Sequence, residues 1–267
     1  MFPELFHIGR FAVPTYGVLA AAGLIFGLMI CVRYAKREGL DEEKCWNMGV
    51  ISIFAGIVGA KLLLLAIDWS YYSRHLREIF TLNMLQTGGV WYGGFIGAVT
   101  AGTIYTIAHR MPVLRTADAY APGIAFGHSL GRLGCLAAGC CYGKPTDVAW
   151  GIVFSNPRAE ALAGTPLHIR LHPTQIYEWA AEFAIFLFLV WFWKRRKSPG
   201  QVAGAYMFLF GIARFIIEFW RNDPERGSVF GGAISGTQLI SIILVVLGGI
   251  FWLRRSQPVP RTADAVA

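Results

Sequence analysis

Cations placed inside apolar stretches are the first candidates for chemistry in this sequence. Lys61 lies in GAKLLLL, Arg132 in GHSLGR and Arg214 in GIARFIIEFWR. A charge within a bilayer costs several kcal/mol and indicates function unless an acidic partner compensates it. Guanidinium forks match phosphate oxygens, so Arg132 and Arg214, with Arg221 two turns beyond, indicate a bound phosphate near one membrane surface.

A structural alternative pairs each of these cations with an acidic side chain inside the membrane. The available acids are Asp118, Glu178, Glu182 and Glu218. Arg214 and Glu218 are four residues apart, which places them on one helix face. For Lys61 both interpretations stay open, whereas the glycines around Arg132 favour a binding site there.

The polar segment HPTQIYE, residues 172–178, opens another apolar stretch. Pro173 suits the first turn of a helix, and Thr174 suits a capping position. His172 lies at the predicted membrane surface, where it either caps or reacts. The residues predicted to face inward among the helices are Gln175, Tyr177 and Glu178.

The segment GGVWYGGFIGA, residues 88–98, contains two Gly-Gly pairs around Trp91 and Tyr92. Irregular backbone is tolerated at membrane depth only beside protein or a cavity. Close helix packing explains Gly93 and Gly94 equally well. Tyr92, and likewise Tyr16 in PTYG, is either an interfacial aromatic residue or part of a cavity wall.

The segment GRLGCLAAGCCYGKPT, residues 131–146, gathers Cys135, Cys140 and Cys141. A zinc site usually needs a C-x2–4-C pair and a second pair of ligands, and the sequence has no second pair. We therefore expect these cysteines to be small packing residues, with no metal and no cofactor. A thiol-redox enzyme is the alternative, and it predicts that all three are essential.

The composition defines the elements that must position these residues. The chain has 267 residues, of which 55% are hydrophobic and 15% charged, against about 25% charged in soluble domains. This predicts an all-α integral membrane protein. Apolar stretches long enough to cross a bilayer run at about 14–33, 46–67, 87–108, 118–140, 174–193, 201–220 and 233–253.

The basic residues predict how these seven spans are oriented. Alternate connections are richer in Lys and Arg, and the KRRK cluster at 194–197 is the strongest signal. This predicts an outside N-terminus, seven crossings, a cytoplasmic tail at 256–267 and a periplasmic head at 142–172, with a strand around 149–154. Basic loops that face anionic lipid explain the net charge of +8, so no nucleic acid partner is expected.

Taken together, the motifs resemble those of bacterial prolipoprotein diacylglyceryl transferases. GRLGCLAAGCCYG, HPTQIYE, RFIIEFWRNDP, GGVWYGG and PTYG occur in the order and spacing of that family, over essentially the whole chain. The resemblance implies a single catalytic domain, residues 1–267, in the bacterial inner membrane, with its active site toward the periplasmic leaflet. It further implies transfer of the diacylglyceryl group of phosphatidylglycerol to the lipobox cysteine of a preprolipoprotein, which leaves a thioether and glycerol 1-phosphate.

The resemblance also assigns site residues. Arg132 and Arg214 match the two essential arginines of the family. Other functional positions are matched by Tyr16, Asp118, Gly143, Gln175, Tyr177, Glu178, Glu218 and Arg221. Lys61, Gly93 and Gly94 complete the expected substrate-binding set.

Departures from the family pattern concern the general base. Tyr92 stands where many members have a histidine proposed as the base, and Lys61 stands where arginine is common. Cysteines in GRLGCLAAGCC replace asparagine, polar or acidic residues. Tyr92, His128 and His172 are the candidates for the base, unless a cationic clamp suffices by stabilising both the thiolate and the departing phosphate.

Two other functions remain open from the sequence. Buried arginines would also suit a transporter of anions or lipids, although no two-fold repeat of broken spans is visible. A paralogous lipid transferase would keep the phosphate clamp but use a different acceptor.

Overall fold

The computed structural model describes residues 2–8, 11–81, 84, 89–221, 228–229 and 233–254. Its contacts divide the chain into a smaller unit, residues 35–116, and a larger unit formed by residues 1–34 and 117–267. The predicted tail at 256–267 and the first two residues of the stretch 87–108 lie outside the described residues.

Helices dominate the described residues, and a long helix overlaps each predicted apolar stretch. The long helices are α1 (Thr15–Arg37), α2 (Glu42–Ile67), α4 (Trp91–Ala108), α5 (Val113–Ala138), α7 (Thr174–Trp193), α8 (Gln201–Ile217) and α9 (Gly236–Leu253). Shorter are α3 (Trp69–Tyr72), α6 (Pro157–Ala163) and the 3-10 turns Leu76–Phe80 and Glu218–Trp220.

In the described part of the chain, three short antiparallel pairs of strands accompany the helices. They are β1 (Glu4–Ile8) with β2 (Phe11–Pro14), β3 (Ile152–Val153) with β4 (Arg170–Leu171), and β5 (Ser228–Val229) with β6 (Ile234–Ser235). The strand predicted around 149–154 is thus confirmed as β3. The described residues before α1 include the antiparallel pair β1–β2.

Five helical segments within the described residues are long and apolar enough to cross a bilayer: α1, α2, α7, α9 and Gln201–Trp220. The segments α4 and α5 are not among them. Glycine, threonine and tyrosine lower the mean hydropathy of α4, and α5 carries Arg115, Asp118 and Arg132. The prediction of a helical membrane protein is confirmed, whereas the number of crossings and their orientation stay predictions.

The helix ends differ from the predicted stretches where the chain becomes polar. Helix α1 continues four residues past the predicted end, to Arg37, and α5 begins five residues early, at Val113. Hydropathy marks the part of a helix suited to lipid, but hydrogen bonding within a helix can continue into water. Polar extensions are therefore invisible to the hydropathy pattern.

The smaller unit is built on close packing of α2 against α4. A Cβ added at Gly93 would collide with the Gly59 carbonyl, and one at Gly94 would lie 3.3 Å from the Gly56 oxygen. Backbones that approach so closely need glycine on both sides. Packing therefore accounts for Gly93 and Gly94. In the same unit, the ammonium of Lys61 donates to the Met84 carbonyl over 2.6 Å.

The larger unit contains a similar contact between α1 and α5. An added Cβ at Gly23 would lie 2.6 Å from the Gly127 oxygen, and one at Gly127 would lie 2.7 Å from the Gly23 oxygen. The two helices therefore approach at backbone distance over this turn. This fixes α5, the helix that carries Arg132, against the first helix of the chain.

Asp118 has a structural role in the larger unit. Its fully buried carboxylate accepts hydrogen bonds from the backbone N–H groups of Gly200, Val202 and Ala203, at 2.8, 2.9 and 2.9 Å. These are donors that the first turn of α8 leaves without partners in the helix. Asp118 therefore caps α8, and it lies about 21 Å before Arg132 along α5 at 1.5 Å per residue.

Candidate active site

A glycine brings three segments of the larger unit together at the end of α5. The Gly143 N–H donates to the His172 carbonyl over 2.9 Å, and the Lys144 N–H donates to the Trp220 carbonyl over 2.8 Å. A Cβ on Gly143 would lie 2.6 Å from both the His172 Cβ and the Trp220 oxygen. Only glycine fits this close backbone contact, which joins the ends of α5 and α8 to the start of α7.

Glu178, one turn into α7, lies at the centre of the charged cluster. Its Oε2 is 2.5 Å from Arg132 Nε, and its Oε1 is 2.8 Å from Arg221 Nη1 and 3.5 Å from Arg214 Nη1. The Glu178 side chain is only 4% exposed. One buried carboxylate thus holds three guanidinium groups from three segments of the chain, because a buried charge is tolerated only when it is paired.

The three arginines differ in exposure. The side chain of Arg221 is 1% exposed and that of Arg214 is 8% exposed, whereas 15% of the Arg132 side chain is open. Within the described part of the chain, the hydrogen bonds and ion pairs of Arg132 all run through Nε. Its Nη1 and Nη2 groups therefore remain able to donate to a ligand.

A histidine and a second glutamate hold Arg132 from the other side. Arg132 Nε donates to His128 Nε2 over 3.2 Å, and His128 Nδ1 lies 2.7 Å from Glu182 Oε1. Since Nε2 accepts, the ring proton belongs on Nδ1, facing Glu182. Both ring nitrogens of His128 are therefore engaged: Nε2 contacts Arg132, and Nδ1 faces Glu182. The ring orients Arg132 in this way.

Glu218 and Ser235 hold the guanidinium group of Arg214 in place. Arg214 Nη2 is 2.5 Å from Glu218 Oε2, which confirms the predicted i,i+4 pair. Ser235 Oγ donates to Glu218 Oε1 over 2.9 Å and also accepts from the Gln238 N–H in a capping box at the start of α9. The ends of α8 and α9 are thereby tied to the cluster.

The remaining polar residues of HPTQIYE hold the chain around the cluster. Thr174 Oγ1 donates to the Cys141 carbonyl over 2.8 Å, and Gln175 Nε2 donates to the Cys140 carbonyl over 2.7 Å. The Tyr177 hydroxyl accepts from Trp150 Nε1 at 2.7 Å and lies 3.2 Å from His172 Nδ1. This leaves Nε2 of His172 without a partner in the described part of the chain.

Tyr16 lies against the same helix as Arg132. A Cβ built on Gly134 would be 3.1 Å from Cδ2 of the Tyr16 ring, and the tyrosine is 46% exposed. Gly134 is two residues beyond Arg132. The structure therefore places Tyr16 near the arginine end of α5 with much of its side chain open.

Comparison with known proteins identifies the family. The family model described as prolipoprotein diacylglyceryl transferase matches residues 3–254. The chain belongs to the prolipoprotein diacylglyceryl transferase family. It is 34% identical over 249 residues to the phosphatidylglycerol–prolipoprotein diacylglyceryl transferase of Clostridium tetani, covering 93% of this chain and 95% of that protein.

Two further relatives carry the same name. The chain is 36% identical over 236 residues to phosphatidylglycerol–prolipoprotein diacylglyceryl transferase 2 of Clostridium perfringens, covering 88% of each chain. It is 32% identical over 260 residues to the enzyme of Finegoldia magna, covering 97% of this chain and 98% of that protein. The similarity therefore extends over nearly the full length of this diacylglyceryl transferase family member.

The structure brings together most, but not all, of the residues expected in the site. Its larger unit gathers Tyr16, His128, Arg132, Gly143, His172, Gln175, Tyr177, Glu178, Arg214, Glu218 and Arg221 around the ends of α5, α7 and α8. Lys61, Tyr92, Gly93 and Gly94 belong to the smaller unit. Asp118 belongs to the larger unit but is engaged in capping α8.

Three contributors were not among the expected site residues. Glu182 was noted only as an acid available for pairing, although its spacing of four from Glu178 places both on one face of α7. Ser235 carries a detectable signal, because Ser-x-x-Gln before an apolar run predicts a capping box. Trp150 lies in the head segment and carries no local signal for its contact with Tyr177.

Proposed function

We propose that this protein transfers the diacylglyceryl group of phosphatidylglycerol to the lipobox cysteine thiol of preprolipoproteins, the first step of lipoprotein maturation. The observation that carries the proposal is Arg132, which is held by Nε between Glu178 and His128 while its Nη groups stay open. A fork of N–H donors is suited to a phosphate. The name shared by full-length relatives supports the same substrates.

The proposed reaction is a displacement at a glycerol carbon. The acceptor sulfur, as thiolate, forms a bond to the carbon of the diacylglyceryl group that carries the phosphate. The bond between that carbon and the phosphate oxygen breaks, and its electron pair leaves with glycerol 1-phosphate. The thiol proton passes to a base or to water, so the products are a thioether, the phosphate ester and one proton.

The cluster supplies the electrostatics for this step. Negative charge moves from sulfur to the departing phosphate, and donors fixed in place lower the energy of that charge without reorganising. Arg132 is proposed to grip the phosphate. Arg214 and Arg221 act as positioning residues, because Glu178 and Glu218 hold them and their side chains are nearly closed to solvent.

His172 is our preferred general base, in place of the histidine that many family members have at the position of Tyr92. His128 is occupied by Arg132 and Glu182, whereas the described part of the chain leaves Nε2 of His172 able to accept a proton. This role requires the tautomer in which the Nδ1–H of His172 donates to the Tyr177 hydroxyl oxygen, 3.2 Å away, so that Nε2 carries no proton. A base of this kind contributes about 100-fold or more to a rate.

We further propose seven crossings in the bacterial inner membrane, with an outside N-terminus and the arginine cluster toward the periplasmic leaflet. Helix α5 is about 39 Å long at 1.5 Å per residue, enough to cross a hydrocarbon core of about 30 Å, and the 18 residues of α4 fall within the range of about 17–25 residues that membrane spans have. At the other end of α7 from the arginine cluster, the guanidinium groups of Arg195 and Arg196 lie over the rings of Trp191 and Trp193, at 4.1 and 3.6 Å from the ring centroids. Burial lowers the pKa of Arg196 to about 10, so the guanidinium still carries its charge at neutral pH.

The proposed reaction is tested with the purified protein in lipid vesicles and a peptide that contains a lipobox cysteine. We expect phosphatidylglycerol to increase the peptide mass by one diacylglyceryl group and to release glycerol 1-phosphate. Vesicles of phosphatidylethanolamine alone, or a peptide with serine in place of the cysteine, should give no product. Lipid turnover without a change in the peptide would favour another acceptor, and transport of phosphate without covalent product would favour a transporter.

A further inference from the structure

Three thiols of the larger unit meet beside the arginine cluster. The Sγ atoms of Cys135, Cys140 and Cys141 all lie within 4.8 Å of one another. Cys135 is buried and the other two are half-buried. No disulfide joins any of the five cysteines, all of which lie within the described residues. The proposed transfer uses a thiol of the acceptor, so it gives these three cysteines no role.

The backbone after α5 is shaped to bring these sulfurs together. Gly139 ends the helix at a φ of +86°, and its N–H donates to the Cys135 carbonyl over 2.9 Å. Cys141 also has a positive φ, +60°, which is uncommon for a residue with a Cβ and costs energy that the surroundings must supply. The chain therefore folds back over the last turn of α5, where Cys135 lies.

Neighbouring side chains hold this turn in place. Thr165 Oγ1 donates to the Gly139 carbonyl over 3.0 Å. The carbonyls of Cys140 and Cys141 accept from Gln175 and Thr174, which belong to the first turn of α7. Three consecutive carbonyls are thus fixed by hydrogen bonds from other segments. The backbone that carries Cys140 and Cys141 is therefore held in one conformation.

We propose that Cys135, Cys140 and Cys141 form a binding site for one thiophilic metal cation, of the class of Zn²⁺ or Cu⁺. Metal–sulfur bonds of about 2.3 Å place three sulfurs about 4 Å apart around one ion, so the observed cluster needs only small rotations to close. Thiolate ligands select these soft ions over hard ones.

This site departs from the expectation that the cysteines only fill space. Three protein ligands leave a coordination position that water or an external thiolate can occupy. Cys140 and Cys141 are half-buried, which gives an ion a way in. The inference does not depend on the proposed function, because cation binding is measured without lipid donor or acceptor peptide.

The first test is titration of the reduced, full-length protein in detergent with Cd²⁺ alone, followed by sulfur-to-metal charge-transfer absorption. We expect the band to saturate at one Cd²⁺ per chain. Cys135→Ala should lose most of the band, and Cys31→Ala combined with Cys45→Ala should keep it. A band that is absent, or that is the same in Cys135→Ala as in the unaltered chain, would overturn the proposal.

A second test needs no variant and so does not depend on the folding of one. The unaltered protein is alkylated with iodoacetamide, with and without one equivalent of Cd²⁺, and each cysteine is followed by peptide mass. We expect Cd²⁺ to slow alkylation of Cys140 and Cys141 about tenfold or more, because a coordinated thiolate is a poor nucleophile. Equal rates with and without Cd²⁺ would contradict the site.

Discussion

At the scale of single residues, the cluster holds identical side chains in different environments. Arg132, Arg214 and Arg221 all contact Glu178, but only Arg132 combines partial exposure with Nη groups that are open within the described part of the chain. The sequence predicts that these arginines converge, because cations in apolar segments must be paired or functional. It does not reveal that Glu178 joins them, since that depends on how α5, α7 and α8 meet.

Glu178→Gln tests the shared carboxylate. We expect transfer to fall about 100-fold, because an uncharged amide cannot hold three guanidinium groups in position. We also expect a lower midpoint of thermal unfolding in detergent, since removing one partner of a buried pair costs about 3–5 kcal/mol. Glu160→Gln, on the exposed surface of α6, is the control and should change neither quantity. A Glu178→Gln protein with normal transfer would show that the cluster does not depend on this carboxylate.

The two histidines of the site should differ in the dependence of rate on pH. A general base must be deprotonated, and it should let the rate rise at a pH below that at which the acceptor thiol, with a usual pKa of about 8.5, ionises by itself. We expect His172→Asn to move the rise up to the pH at which the thiol itself ionises, and His128→Asn to lower the rate while leaving the rise in place, because His128 orients Arg132. The measurement is a pH profile of single-turnover transfer. If His128→Asn moves the rise instead, the assignment is reversed.

At the scale of elements, the sequence predicts the long helices well and their polar ends poorly. Apolar runs in the sequence locate all seven long helices named above, but α1 and α5 extend into polar sequence that the hydropathy pattern does not register. Asp118 shows a second limit. Its match to a family motif suggests substrate binding, whereas its carboxylate caps α8, a contact between residues 82 or more apart that no local pattern predicts.

The close backbone contact at Gly143, where the chain after α5 meets the start of α7 and the end of α8, can be tested by substitution. Gly143→Ala should place a methyl group against His172 and the Trp220 carbonyl, which costs about 1–3 kcal/mol of stability and displaces the start of α7. Gly131→Ala is the matched control, because a Cβ there meets nothing within 4 Å. Thermal unfolding and transfer should both fall for Gly143→Ala and stay near normal for Gly131→Ala. Similar results for the two variants would show that the close contact at Gly143 does not require glycine.

At the scale of the whole molecule, composition identifies a helical membrane protein, and the order of the motifs identifies its family. Among the described residues, five helical segments meet the criteria for crossing a bilayer, while α4 and α5 do not, because glycine and polar residues reduce their hydropathy. A helix that carries proposed site residues, as α5 carries Arg132, is thus the kind of helix that a hydropathy criterion misses. Family motifs compensate for this, because they are defined by specific residues in order.

The proposed orientation is tested by labelling single introduced cysteines in intact cells with a maleimide that cannot cross membranes. We expect Ala161→Cys, in the head helix α6, to gain label. Lys194→Cys, after α7, should gain label only once the membrane is permeabilised, because basic loops stay in the cytoplasm. The unaltered chain gives the background for the native cysteines. The opposite pattern would reverse the orientation and place the cluster at the cytoplasmic leaflet.

The central claim is that Arg132 grips the lipid phosphate and stabilises its departure. It is tested most directly by comparing Arg132→Gln with Arg195→Gln in the vesicle assay with phosphatidylglycerol and the lipobox peptide. Arg195 lies in the basic loop after α7, stacked on Trp191. We expect Arg132→Gln to lower the transfer rate about 100-fold or more, as for loss of a transition-state donor, and Arg195→Gln to transfer normally. Near-normal transfer by a correctly folded Arg132→Gln protein would contradict the account.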